Sequence, residues 1–108
     1  MSAERLRYRD MWILQSAGTD GETFTFRMMP GAIKTVGRAP RADFVVDAAL
    51  VSRLHCRLTA GDSTIEVVDL DSTNGTYVND QRVEKNATVA SGDRLRVGRV
   101  ELKVERAS

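Results

Sequence analysis

Short runs rich in β-branched residues, each soon broken by Gly, Pro, Asn or Asp, are what most restricts the fold open to this chain. Thr23–Met28 (TFTFRM) alternates through Phe24, Phe26 and Met28, the period of a strand with one buried face. Trp12, Leu14 and Ser16 continue that alternation upstream, and Ala17-Gly18-Thr19-Asp20-Gly21 between the two runs reads as a hairpin turn. Further strands are expected over Ala32–Val36, Phe44–Val46, Cys56–Thr59, Thr64–Val68, Thr76–Val78 and Leu95–Val104. Their separators are Pro30-Gly31, Gly61-Asp62, Asn79-Asp80, Ser91-Gly92-Asp93 and Gly98. Strands recurring every roughly 8–12 residues indicate an all-β sandwich or barrel. Only Ala48–Leu54 leaves room for a helix, and it has no apolar stripe at helical spacing.

At 108 residues the chain can bury one modest core and not two. Residues 10–105 are expected to form that domain, with residues 1–9 and 106–108 as tails. Cys56 is the only cysteine and His55 the only histidine, so neither an intrachain disulfide nor a Cys/His zinc site is expected. No apolar run approaches the ~20 residues of a membrane span, and the polar start MSAERLRYRD lacks the apolar region of a signal peptide. Membrane insertion is therefore not expected, and a cytoplasmic location is. The charges nearly cancel, 16 Lys+Arg against 15 Asp+Glu, leaving no field to hold an extended polyanion such as nucleic acid.

Three loops concentrate polar and small residues: Gly37–Asp43, Leu50–His55, and Asp69–Thr76 leading into Tyr77-Val78-Asn79. Arg38 and Arg53 carry planar fork donors suited to carboxylate or phosphate. Ser52, Thr73 and Asn74 add hydroxyl and amide donors. Two arginines and short neutral donors describe a compact dianion site, and a phosphate monoester brings about −1.5 to −2 charge and three acceptor oxygens. Such a site works by local field and needs no basic protein around it.

Gly37-Arg38, then Ser52-Arg53-Leu54-His55, then Ser72-Thr73-Asn74-Gly75-Thr76 with Asn79, resembles the signature of forkhead-associated (FHA) domains in order and spacing, from about Trp12 to Glu105. The resemblance implies an FHA/SMAD-like β-sandwich of two twisted sheets and about eleven strands. Its binding loops would lie at one end, opposite both termini. It also implies a phosphothreonine-dependent protein–protein interaction module, an adaptor in Ser/Thr kinase signalling without catalysis or cofactor. The partner would be a Thr-phosphorylated protein or peptide, such as a Ser/Thr kinase or its substrate.

By motif position, Arg38 would contact the phosphate or the adjacent peptide backbone, Ser52 would donate its hydroxyl to a phosphate oxygen, and Arg53 would add a second positive contact. Thr73 and Asn74 would line the site, Asn74 bonding the peptide backbone beside the phosphothreonine. The alternative roles are bracing of its loop by Arg38 through Asp43 or Asp47, a turn role for Ser52, and a carboxylate pairing for Arg53. His55 would support the loops from within, and Asn79 would tie loop backbones together without touching ligand. Gly37 and Gly75 read as backbone devices for close approach or positive φ. Asp69 and Asp71 read as turn residues rather than an acid–base pair, and Cys56 as a packed thiol.

The resemblance also implies selectivity at the third residue after phosphothreonine, often influenced by the position two before the serine. Here that is Leu50, which favours an apolar or undemanding peptide residue. The first threonine, Thr19, falls in the expected hairpin turn, so self-inhibition by a phosphorylated N-terminal tail is not expected. The chain would be a stand-alone adaptor or one domain of a larger protein. The alternative function is a phosphorylation-independent scaffold that binds partners through a sheet face or edge. A phosphoesterase built on Asp69, Asp71 and His55 lacks a nucleophile activated by a positioned base.

Overall fold

Eleven strands and no helix form among the residues described by the computed structural model, 11–16 and 23–107. They are β1 (Trp12–Ser16), β2 (Thr25–Met28), β3 (Ile33–Gly37), β4 (Phe44–Val45), β5 (Cys56–Ala60), β6 (Ile65–Asp69), β7 (Thr76–Val78), β8 (Gln81–Arg82), β9 (Asn86–Val89), β10 (Arg94–Val97) and β11 (Val100–Arg106). Two sheets result, in the orders β2-β1-β11-β10-β7-β8 and β4-β3-β5-β6-β9. The all-β sandwich is the expected architecture. The expected hairpin turn at residues 17–21 and the tail at residues 1–9 lie outside the described residues.

Alternation sets which side chains meet between the sheets. Trp12 and Leu14 of β1, Leu58 of β5, Ile65 and Val67 of β6, Leu95 and Val97 of β10, and Leu102 and Val104 of β11 are all fully buried. On one flank Phe26 of β2 stacks on Phe44 of β4 with centroids 4.6 Å apart, closing the gap between the two edge strands. Trp12 also donates its indole N–H to the Gly61 carbonyl at 3.0 Å. It thereby anchors the β5–β6 turn to the end of the sandwich where β1 begins and β11 finishes, with Trp12 opposite Arg106.

The Leu95–Val104 run is two strands, β10 and β11, turned about Gly98 at φ +58. Two strands were not expected. β8 is set by a turn in which Asn79 and Asp80 both take positive φ, 49 and 70, the geometry that matches strand twist in a two-residue hairpin. β9 forms because Val89 lies opposite Ile65 and enters the core. The segment expected to leave room for a helix, 48–54, is turn and bend. Among the described residues no helix is long and apolar enough to cross a membrane.

The register assembles one end of the sandwich. β3 finishes at Gly37, β5 starts at Cys56 opposite Val36, and β6 finishes at Asp69 opposite Cys56. β7 starts at Thr76 opposite Val97, so the β10–β11 turn reaches the same end. The three polar loops therefore emerge together, away from Trp12.

Candidate functional site

His55 is the centre of the loop end. It is fully buried, and its ring spans two loops. Nδ1 lies 3.0 Å from the Ser52 N–H and Nε2 lies 2.8 Å from the Gly75 carbonyl oxygen. A backbone N–H can only donate and a carbonyl can only accept, so Nδ1 is the bare nitrogen and Nε2 carries the proton. The neutral ring is thus a two-ended bracket between the 50–55 and 70–75 loops.

Beneath the second loop, Asp69 accepts three hydrogen bonds: Ser72 Oγ at 2.6 Å, Thr76 Oγ1 at 2.6 Å and the Ser72 N–H at 3.1 Å. The Ser72 oxygen in turn accepts the Gly75 N–H at 3.0 Å. Burial pushes the Asp69 carboxyl up, but the Ser72 and Thr76 hydroxyls and the Ser72 amide outweigh it and hold it below its ordinary value. Ser72 stood in the sequence only as part of the third motif block and Asp69 as a turn residue, and the network that joins them was not anticipated. The usable signal was the Asp-x-x-Ser spacing, which lets a carboxylate bond the amide three residues on.

Gly37 permits the loops to touch. A Cβ there would collide with the Arg53 carbonyl oxygen and lie 2.8 Å from its carbon and 3.0 Å from Leu54 Cα. Without it the Arg38 and Ala39 amides reach the Ser52 and Arg53 carbonyls at 2.9 and 3.1 Å. Gly75 takes φ +88, a conformation open to glycine at little cost. Asn79 lies at the other end of β7, where its side-chain oxygen accepts the Arg94 N–H at 2.9 Å.

On this base Arg38, Leu50, Ser52, Arg53, Thr73 and Asn74 line one open cleft of about 530 Å³, with Val51, Leu54 and Asp71. Arg38 is exposed and donates Nε to the Val51 carbonyl at 3.1 Å, a bond that does not use its two terminal nitrogens. Neither Arg38 nor Arg53 forms an ion pair among the described residues. Asp43, one candidate brace for Arg38, is instead clamped by Thr35, whose N–H and hydroxyl approach at 2.8 and 3.1 Å. Ser52 Oγ accepts the Thr73 N–H at 3.0 Å, so its own hydroxyl proton is left for an acceptor in the cleft. Asn74 donates Nδ2 to the Leu50 carbonyl at 3.1 Å. That bond braces Leu50 in the left-handed region, φ 70, where the residue is 45% exposed. Asp71, also left-handed at φ 56, is an exposed carboxylate on the cleft wall.

Of the three groups weighed for a phosphoesterase, Asp71 lies exposed on the cleft wall while His55 and Asp69 are engaged in structural hydrogen bonds. Both His55 nitrogens and the Asp69 carboxylate hold loops, and burial, aided by Asp69, pushes the Cys56 thiol up to about 12. Among the described residues no group of three or more His, Cys, Asp or Glu side chains could hold a metal ion.

The family profile described as "FHA domain" matches residues 34–98, which contain every cleft residue named above. This chain belongs to the FHA domain family. It is 44% identical over 69 residues to an oxoglutarate dehydrogenase inhibitor of Corynebacterium diphtheriae, a match covering 63% of this chain and 47% of that protein. It is 37% identical over 75 residues to the glycogen accumulation regulator GarA of Mycobacterium tuberculosis, covering 69% and 46%. The chain thus spans about half the length of the curated relatives it matches. Among solved structures it resembles an FHA domain determined for phosphothreonine-dependent FHA domain interactions. That likeness has a TM-score of 0.76 at 32% identity and covers 88% of this chain and 95% of the other.

Proposed function

We propose that the chain binds phosphothreonine peptides in the Arg38–Ser52–Arg53–Thr73–Asn74 cleft and acts as a non-enzymatic, cytoplasmic adaptor in Ser/Thr kinase signalling. The observation that carries this reading is the convergence of two guanidinium groups lacking carboxylate partners with a serine hydroxyl whose proton is undirected. A phosphate monoester supplies the acceptors that all three lack. The Asn74 amide oxygen, not used in bracing Leu50, accepts a peptide N–H beside the phosphothreonine. Leu50 faces the third residue beyond it and favours an apolar or undemanding side chain there. The engaged states of His55, Asp69 and Cys56 support binding without turnover. The partner is a Thr-phosphorylated protein, and the regulatory names of the relatives support an adaptor role.

Calorimetric titration with a phosphothreonine peptide and its unphosphorylated twin tests this reading. Micromolar binding, ~8 kcal/mol, is expected for the first alone. Arg38→Ala and Ser52→Ala should each abolish it. Equal binding of both peptides would refute it. Partner capture that survives Arg38→Ala would favour a scaffold acting through a sheet face.

A further inference from the structure

The outward face of the six-stranded sheet carries a second group of cations beside the cleft. Register places Arg82 of β8 next to Tyr77 of β7, and Tyr77 next to Arg96 of β10, on the side away from the core. The Arg96 guanidinium lies over the Tyr77 ring, 4.1 Å from its centroid, and its Nη1 reaches the Gly98 carbonyl at 3.4 Å. Arg82 is exposed and rests on the loop that carries Thr73 and Asn74. A Cβ built on Gly75 would lie 3.2 Å from its Nε and 3.3 Å from its Cζ.

Neither guanidinium forms an ion pair among the described residues. Glu101, opposite Arg96 in register, meets Arg94 at 3.6 Å, and Asp80 meets the same Arg94 at 3.3 Å. Register thus puts two cations on the strands either side of Tyr77 with no carboxylate paired to either, a local excess of positive charge that an anion would relieve. Stacking on Tyr77 also holds the Arg96 plane in place, so less side-chain freedom is lost when it pairs.

We propose that Arg82 and Arg96 form a second, carboxylate-accepting subsite for the same ligand, taking Asp or Glu side chains that flank the phosphothreonine. This rests on the phosphothreonine reading of the cleft. Asn74 and Gly75 are consecutive, so the Arg82 Cζ lies within about 9 Å of the Asn74 Cα. An extended peptide covers that distance in two or three residues at ~3.3–3.6 Å each. Charge complementarity selects the occupant: an acidic segment pairs both arginines, whereas a neutral or basic one leaves them unneutralised.

The test uses the full 108-residue chain and three labelled peptides sharing one phosphothreonine core. One has alanine flanks, one has aspartates before the phosphothreonine, and one has aspartates after it. Fluorescence anisotropy is measured at low and high salt, together with the unphosphorylated twins. One acidic peptide should bind about five- to tenfold tighter than the alanine peptide, an advantage that shrinks with salt. The advantage should vanish in the Arg82→Gln/Arg96→Gln double variant. The quantity read is the ratio of affinities within each protein, so any general loosening of the 70–75 loop cancels. Equal affinities for the three phosphopeptides, or an advantage kept by the double variant, would overturn the subsite and leave the phosphothreonine site standing. Phosphopeptides that bind no better than their unphosphorylated twins would overturn the phosphothreonine reading itself, and the subsite with it.

Discussion

Replacing His55 with alanine removes both ends of the bracket that joins the two central loops. The Ser52 N–H and the Gly75 carbonyl each lose a partner, at 3.0 and 2.8 Å in the native chain. A polar group left unsatisfied away from water costs about 1–3 kcal/mol. The lower end applies to the part-buried Ser52 amide, which water can reach. Truncating a fully buried side chain adds a cavity term, and the total comes to about 3–5 kcal/mol. At roughly 4–8 °C per kcal/mol for a domain near this size, the melting temperature should fall by about 12–40 °C. Phosphopeptide affinity, measured at low temperature where the variant stays folded, should drop by more than about tenfold, because the loops that carry Ser52 and Thr73 lose the bracket between Ser52 and Gly75. His55→Gln, whose amide can accept at one atom and donate at another, should recover part of both losses. Nitrogen NMR of the native chain should show Nε2 protonated and Nδ1 bare. Wild-type melting and wild-type affinity in His55→Ala would refute the bracket.

Gly37→Ala should cost about 2–4 kcal/mol in chemical denaturation, because the added Cβ meets Arg53 and Leu54 backbone that no rotamer change can move. Asp69 is held below its ordinary value of 3.8, so its contribution is present above the unfolded value and is lost as pH falls through the lower folded one. Thermal melts should therefore be flat from neutral pH to about 5 and decline below that, with Asp69→Asn less stable at neutral pH and less acid-sensitive. Asp43, lowered by the Thr35 amide and hydroxyl, and Asp93, lowered by the Ala90 amide, contribute to the same decline, so it should not vanish in that variant. Asp71→Asn removes a carboxylate from the wall of an anion cleft and should tighten phosphopeptide binding by about two- to fivefold, read by calorimetry.

The strands legible in the sequence are those whose side chains alternate strongly, such as Trp12–Ser16 and Cys56–Ala60, since a half-buried strand writes its period into residue type. β8 is illegible by that criterion because Gln81 and Arg82 are both exposed, and the strand is imposed by the Asn79-Asp80 turn. β9 fails for a related reason. Only Val89 is fully buried there, and its pairing partner Ile65 is far away in sequence.

At the loop end the sequence shows which chemistry is present without showing how it is shared. Arg38, Ser52, Arg53, Thr73 and Asn74 are recognisable as anion donors from residue type and order alone. Only the tertiary structure decides which of their groups remain available. The Val51 carbonyl takes Arg38 Nε, the Thr73 amide takes an acceptor position on Ser52, and the Leu50 carbonyl takes the Asn74 amide. Composition and strand period thus determined an all-β domain with anion-ready loops, because propensity and alternation are local properties. Convergence of those loops, the protonated nitrogen of His55 and the free faces of Arg38 and Arg82 depend on hydrogen bonds and contacts between residues distant in sequence. Those exist only once two sheets have closed on one core.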